Sequence, residues 1–159
     1  MIEVTPGLFV GNQLDERHVR NKKPAWAVLH CAKDPYHREA VGYTGGAPKD
    51  HPEYLFAYRD EGMRLCLNMI DAPKPEFFAD AMIVEGLKFI EAHLRAERSV
   101  LVHCNQGGSR GPSMALLYLR GRATPWRDME FEDAEEAFGT IYLPYQPASG
   151  IREYVRSKW

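Results

Sequence analysis

Residues 99–119 read S-V-L-V-H-C-N-Q-G-G-S-R-G-P-S-M-A-L-L-Y-L, and every other feature of the chain is placed relative to them. Ser99-Val-Leu-Val-His103 is an apolar, β-branched run, short enough for a strand buried in the middle of a sheet. Pro112-Ser-Met-Ala-Leu-Leu-Tyr-Leu119 is helical in composition, and its proline lies near the first turn, where a missing N–H costs nothing. Between them Cys104 ends the strand just before a helix start, whose unpaired N–H groups favour an anion. Gly107 and Gly108 permit backbone angles at which successive N–H groups converge on a phosphate. Arg110 can close such a loop with a planar, two-pronged donor matched to two phosphate oxygens. A thiolate beneath a cradled phosphate is a nucleophile in position for attack. A cysteine with an arginine six positions later is cheap by itself. The preceding strand, the glycines and the proline-headed helix make the combination specific.

Upstream, residues 26–30 (WAVLH) predict another buried strand, and 43–52 (YTGGAPKDHP) a loop. Residues 54–59 and 63–70 predict two strands joined in a hairpin by Asp60-Glu61-Gly62. A long helix is expected from Pro75 and Glu76 to about Ala96, with Ile83, Leu87, Ile90 and Leu94 on one face. Glu76 and Asp80 near its start and Arg95 near its end agree with the helix dipole. Two further helices are expected over 132–141 and 150–159. Interleaved strands and helices define an α/β or α+β class, a central mixed β-sheet flanked by helices, within one domain over 1–159. His30-Cys31 also follows a strand, but no glycine comes next and Arg38 is one residue too late. Cys31 and Cys66 are therefore expected as buried core thiols. A minority reading pairs one of them with Cys104 on oxidation.

The bulk properties exclude several classes. The chain has 159 residues, 45% hydrophobic and 26% charged, the balance of a globular domain. Twenty Lys and Arg against 22 Asp and Glu give a net charge of −2, without the basic surplus of a nucleic-acid binder. No apolar run approaches a membrane span, and the first residues do not read as a secretory signal. Three cysteines are few and odd in number for a disulfide scaffold, so a reducing, cytoplasmic setting is expected. His18, His37, His51 and His93 show no ligand spacing, so no metal and no cofactor is expected. A monomer is expected.

His103-Cys-Asn-Gln-Gly-Gly-Ser-Arg110 resembles the H-C-x5-R signature of the cysteine-based protein tyrosine phosphatases, and the position of the motif resembles their compact dual-specificity branch. The resemblance extends to Thr5-Pro-Gly-Leu-Phe-Val-Gly11, similar to that branch's opening strand, and to Val28-Leu29-His30, with His30 where an asparagine is common. Pro147-Ala-Ser-Gly-Ile151 resembles the family's P-N-x-G-F segment. The resemblance implies a dual-specificity-phosphatase-like fold, Cys104 as nucleophile, Arg110 as phosphate clamp, and Asn105, Gln106, Gly107, Gly108, Ser109 and Arg110 as the cradle. His103 is expected to bond within the loop and tune Cys104, with a satisfied core histidine as the alternative. The resemblance also implies a general acid on a loop upstream. Asp71, 33 residues before Cys104 in N-M-I-D-A-P, is the expected acid, with Asp80 the alternative and a turn-capping role the bland reading. One position departs from the family. Gly111 stands where Ser or Thr usually follows the arginine, and Ser109 lies on the wrong side to replace it. Slow breakdown of the phospho-cysteine, seen as a burst, is the expectation.

A phosphorylated protein or peptide is the expected substrate, because Asn105, Gln106 and Ser109 carry no charge for polyphosphorylated inositols; phosphotyrosine is expected first, since its phenoxide leaves more easily, and phosphoserine or phosphothreonine second. The alternatives are a catalytically impaired phosphate-binding module or a phosphatase for a lipid or RNA-end monoester. A sulfur-transfer or arsenate-reducing enzyme would have no acid loop at Asp71. Tyr142, Tyr145 and Trp126 are read as packing residues, one of which could line the pocket mouth.

Overall fold

A computed structural model describes residues 1–122 and 125–159. Six strands form one sheet: β1 (Ile2–Thr5), β2 (Leu8–Gly11), β3 (Ala27–His30), β4 (Phe56–Arg59), β5 (Arg64–Leu67) and β6 (Val100–His103). Their spatial order is β1-β2-β6-β3-β5-β4. The four inner strands run parallel, and the two edge strands β1 and β4 pair antiparallel with β2 and β5. β6 is central and buried on both faces, as its unbroken apolar run predicts.

Alternation along the strands divides the core. Val100 and Val102, with Leu29, Leu65 and Leu67, point into the thick layer beneath α3 (Asp80–Arg95), α4 (Arg110–Arg120), α5 (Phe131–Ile141) and α6 (Ser149–Ser157). Leu101 and Val28 face the thin layer, where Val19 of α1 (Gln13–Val19) covers them. A π-helical turn, Lys33–His37, and the short α2 (Arg38–Val41) complete that side through Tyr36, Ala32 and Cys66.

The expected strands and helices are present, but the strands are four residues each and the long helix starts later. Pro75–Phe77 form a separate 3-10 turn, and Phe78 is extended so that its ring is buried against Tyr154. The helix then begins at Asp80, whose carboxylate accepts from Tyr154 Oη at 2.7 Å and from Lys158 Nζ at 3.1 Å. Of the expected stripe, Ile83 and Ile90 are buried, while Leu87 and Leu94 are half-buried at its margin. Met82 and Phe89 complete the buried face, each such side chain contributing about 1.5–3 kcal/mol relative to exposure. α1 was not among the expected helices, although its start is legible. Asn12 accepts from the N–H groups of Leu14 and Asp15 while Asp15 accepts from Asn12 N–H, a complete capping box.

Candidate active site

Strand β6 leaves the sheet at His103, and the chain turns through residues 104–109 into α4. Cys104 is therefore at the carboxyl edge of the parallel strands and next to a helix N-terminus, where a parallel sheet binds its ligands. The residue is 1% exposed and lies at the floor of the turn. Gly107 has φ +77°, and a Cβ there would come within 2.9 Å of the Gly11 carbonyl oxygen, so no other residue fits without strain.

The carbonyls of residues 105, 107 and 108 face the protein. Asn105 C=O accepts from Gln13 N–H at 3.2 Å and Gly108 C=O from Gln146 N–H at 2.7 Å. Gly107 C=O accepts from the buried hydroxyl of Tyr142 at 2.9 Å. Among the described residues, none of the N–H groups of residues 105–110 donates to a protein acceptor. Carbonyls tied outward and amides left without acceptors are the geometry of an oxyanion cradle. Tyr142 is thus part of the loop's support. Its signal in the sequence was weak, because a tyrosine after an amphipathic helix reads as ordinary packing.

Arg110 is the first residue of α4 and its side chain is 12% exposed. Nη1 donates to the Met69 carbonyl and Nη2 to Asn105 Oδ1, each at 3.0 Å. Asn105 in turn donates to the Asp34 carbonyl at 2.9 Å, so its amide fixes the guanidinium to the loop. The buried Nε–H of Arg110 has no acceptor among the described residues. Asp71 Oδ1 stands 3.9 Å from that Nε and accepts from the Ser109 hydroxyl at 3.2 Å. Ser109 Oγ also accepts from Ala148 N–H at 3.0 Å. Asp71 and the loop of 104–110 therefore meet, across 33 residues of sequence. Asp80, the alternative acid, and Asp60 in the hairpin turn do not reach the loop. Asp80 is tied to α6, and Asp60 sits at the opposite end of β5, 3.6 Å from Arg64.

His103 is fully buried. Its Nε2 is 2.6 Å from His30 Nδ1, and its Nδ1 is 3.4 Å from the Cys104 carbonyl oxygen. Burial lowers its pKa to about 4 and holds that of His30 well below the usual histidine value, so both rings are neutral at pH 7. Cys31 is buried without a disulfide, and its N–H donates to the His103 carbonyl at 2.8 Å. Burial pushes its thiol pKa well up, with the neighbouring Cys104 adding to the shift. Cys66 packs on the thin layer with Ala32 and Tyr36. The register therefore sets Cys31 beside Cys104. Gly111 has a reason of its own. A Cβ at this position would lie 2.9 Å from the His103 carbonyl carbon and 3.0 Å from Cys104 N, both backbone atoms.

No protein-family model matches the chain, and no curated protein matches it. Solved structures do. The chain superposes on DUSP15 with a TM-score of 0.67 at 18% identity, covering 99% of this chain and 85% of that one. The human tyrosine phosphatase-like serine/threonine/tyrosine-interacting protein gives 0.65 at 21% identity, with 99% and 94% covered. The PTP-2 phosphatase of Cydia pomonella gives 0.66 at 18% identity, with 99% and 88% covered. The molecule has the fold of the compact dual-specificity phosphatases, a mixed six-stranded sheet with helices on both faces.

Proposed function

We propose that the protein is a cysteine-dependent phosphatase acting on phosphorylated protein or peptide, phosphotyrosine foremost. The observation that carries this reading is the run of amides at residues 105–110, directly after Cys104 in the turn, with no protein acceptors among the described residues, together with the buried Nε–H of Arg110, which has none there either. In this reading the Cys104 thiolate attacks phosphorus, the P–O bond to the substrate breaks, and Asp71 gives its proton to the leaving oxygen. The amides and Arg110 hold the equatorial oxygens while charge moves onto the leaving group. Asp71, now a carboxylate, takes a proton from water as that water attacks the phospho-cysteine. The P–S bond breaks, and phosphate leaves. None of these steps requires a metal or a cofactor.

Asp71 is half exposed, accepts from Ser109 and lies beside Arg110 Nε, a placement that suits a proton carrier reaching a bound ester. Hydrolysis of an aryl phosphate by the wild type, Cys104→Ser and Asp71→Asn tests the assignment. Cys104→Ser is expected to abolish turnover and retain ester binding. Asp71→Asn is expected to lower kcat by about 10²–10⁴-fold, the usual contribution of a general acid. A wild type that binds the ester and never hydrolyses it would favour the second reading, a phosphate-binding module. Gly111 is the observation behind that reading, because it removes the hydroxyl usual beside the cysteine.

A further inference from the structure

The buried histidine pair is one part of a longer chain of contacts. Arg64, at the start of β5, donates from Nε to His30 Nε2 at 3.1 Å, and its Nη2 lies 2.8 Å from the same nitrogen. Nη2 also donates to Glu16 Oε1 at 3.0 Å, and Glu16 is a buried carboxylate on α1 that accepts from Arg20 as well. An arginine side chain has only donors. His30 Nε2 must therefore be the bare, accepting nitrogen, which leaves the proton on Nδ1. That proton points at His103 Nε2, which must accept it, so His103 carries its own proton on Nδ1, facing the Cys104 carbonyl. Each ring's tautomer follows from the one before it.

We propose that Arg64 is a positioning residue for the Cys104 loop: it imposes a one-way series of hydrogen bonds, Arg64 to His30 to His103 to the Cys104 carbonyl. The bond at the end of the series orients the peptide between Cys104 and Asn105. The N–H of that peptide is the first of the cradle amides. A donor on the carbonyl polarises the same peptide and strengthens its N–H as a donor. A reversed series would put the bare Nδ1 of His103 against the Cys104 carbonyl oxygen, two acceptors face to face. Glu16 and Arg20 keep Arg64 in place from the thin layer. The catalytic consequence rests on the phosphatase reading; the tautomers do not.

Two other histidines serve as internal references. His37 Nε2 donates to the Glu53 carbonyl at 2.8 Å, and His93 Nε2 donates to the Gly62 carbonyl at 3.1 Å. Nitrogen NMR on histidine-labelled protein at pH 7 should therefore show His30 and His103 protonated on Nδ1, and His37 and His93 on Nε2. Arg64→Gln offers an acceptor as well as donors, and should give mixed tautomers at His30 and His103. Alkylation of Cys104 by iodoacetate should slow in that variant by about three- to tenfold, the equivalent of one neutral hydrogen bond. kcat for an aryl phosphate should fall with KM unchanged. Arg64→Lys, again donors only, should restore the tautomers and the alkylation rate, which rescue a purely structural role would not produce. A wild-type spectrum with His30 or His103 protonated on Nε2 overturns the proposal, and it does so even if Arg64→Gln fails to fold. Unchanged tautomers in a folded Arg64→Gln overturn it as well. A wild type with the stated tautomers and slowed alkylation in Arg64→Gln, but no turnover, upholds the proposal and removes the phosphatase reading.

Discussion

At Gly111 the lack of a side chain is a steric requirement, and in the proposed reaction it would also bear on rate. Its Cα lies so close to the His103–Cys104 peptide that a Cβ would meet backbone atoms at 2.9 and 3.0 Å. Ser109, the nearest hydroxyl in sequence, is already committed to Asp71 and to Ala148 N–H. In the proposed phosphatase reading, neither residue would ease release of the phospho-cysteine. Rapid mixing with an aryl phosphate should therefore show a burst near one equivalent per site and a slower steady rate. Gly111→Ser should not restore that rate, and should destabilise the fold by about 1–3 kcal/mol, the usual cost of overpacking. Denaturant midpoints and burst kinetics on the two proteins check both expectations. The absence of a burst in the wild type removes the kinetic half of the idea. The departure at 111 was visible in the sequence, but its cause was not, because the cause is an approach between backbones.

The segment that carries Asp71, the proposed acid, is packed against the start of α6. Ser149 and Gly150 at the start of α6 press directly on residues 72–74. Ser149 Oγ donates to the Pro73 carbonyl at 3.1 Å, and a Cβ on Gly150 would lie 2.1 Å from the Ala72 carbonyl oxygen. Gly150→Ala must therefore displace the segment that carries Asp71. The expected result is a loss of about 10–100-fold in kcat for esters of poor leaving groups, part of a general acid's contribution, and a smaller loss for activated aryl esters. Comparing the two ester types in this variant is the measurement; equal losses would argue against it. Strand β6, the loop, α4 and the hairpin of β4 and β5 were legible because each is written in a local pattern of apolar residues and glycines. The start of α3 was not, because burial of Phe78 against Tyr154, a contact across 76 residues, overrides a favourable proline and glutamate at 75 and 76. His30 as the partner of His103 was equally hidden, since only the parallel register of β3 and β6 brings them level.

Across the molecule, His30, His37, His93 and His103 all have lowered pKa values, with burial the main cause in each. Unfolded, such groups titrate near 6.5, whereas His103 folded titrates at about 4. Between those values the unfolded chain binds more protons, so stability is full above about pH 6.5 and falls as the pH drops toward 4. His30 and His103, both deeply buried, set a slope of up to about 2–3 kcal/mol per pH unit. Exposed carboxylates with lowered pKa values, such as Asp34 and Asp80, act in the same direction but only at more acid pH. Urea midpoints at pH 7.5, 6 and 5 should decline in that order, and His30→Asn should flatten the decline. Equal midpoints at pH 7.5 and 5 would contradict it.

The carbonyls of residues 105, 107 and 108 are tied to Gln13, Tyr142 and Gln146, residues from the first and last parts of the chain. An oxyanion seated on the amides thus joins segments more than a hundred positions apart through six peptide groups. Anion binding at the proposed cradle would therefore be linked to the packing of both segments, so that loosening either would weaken the grip on the anion.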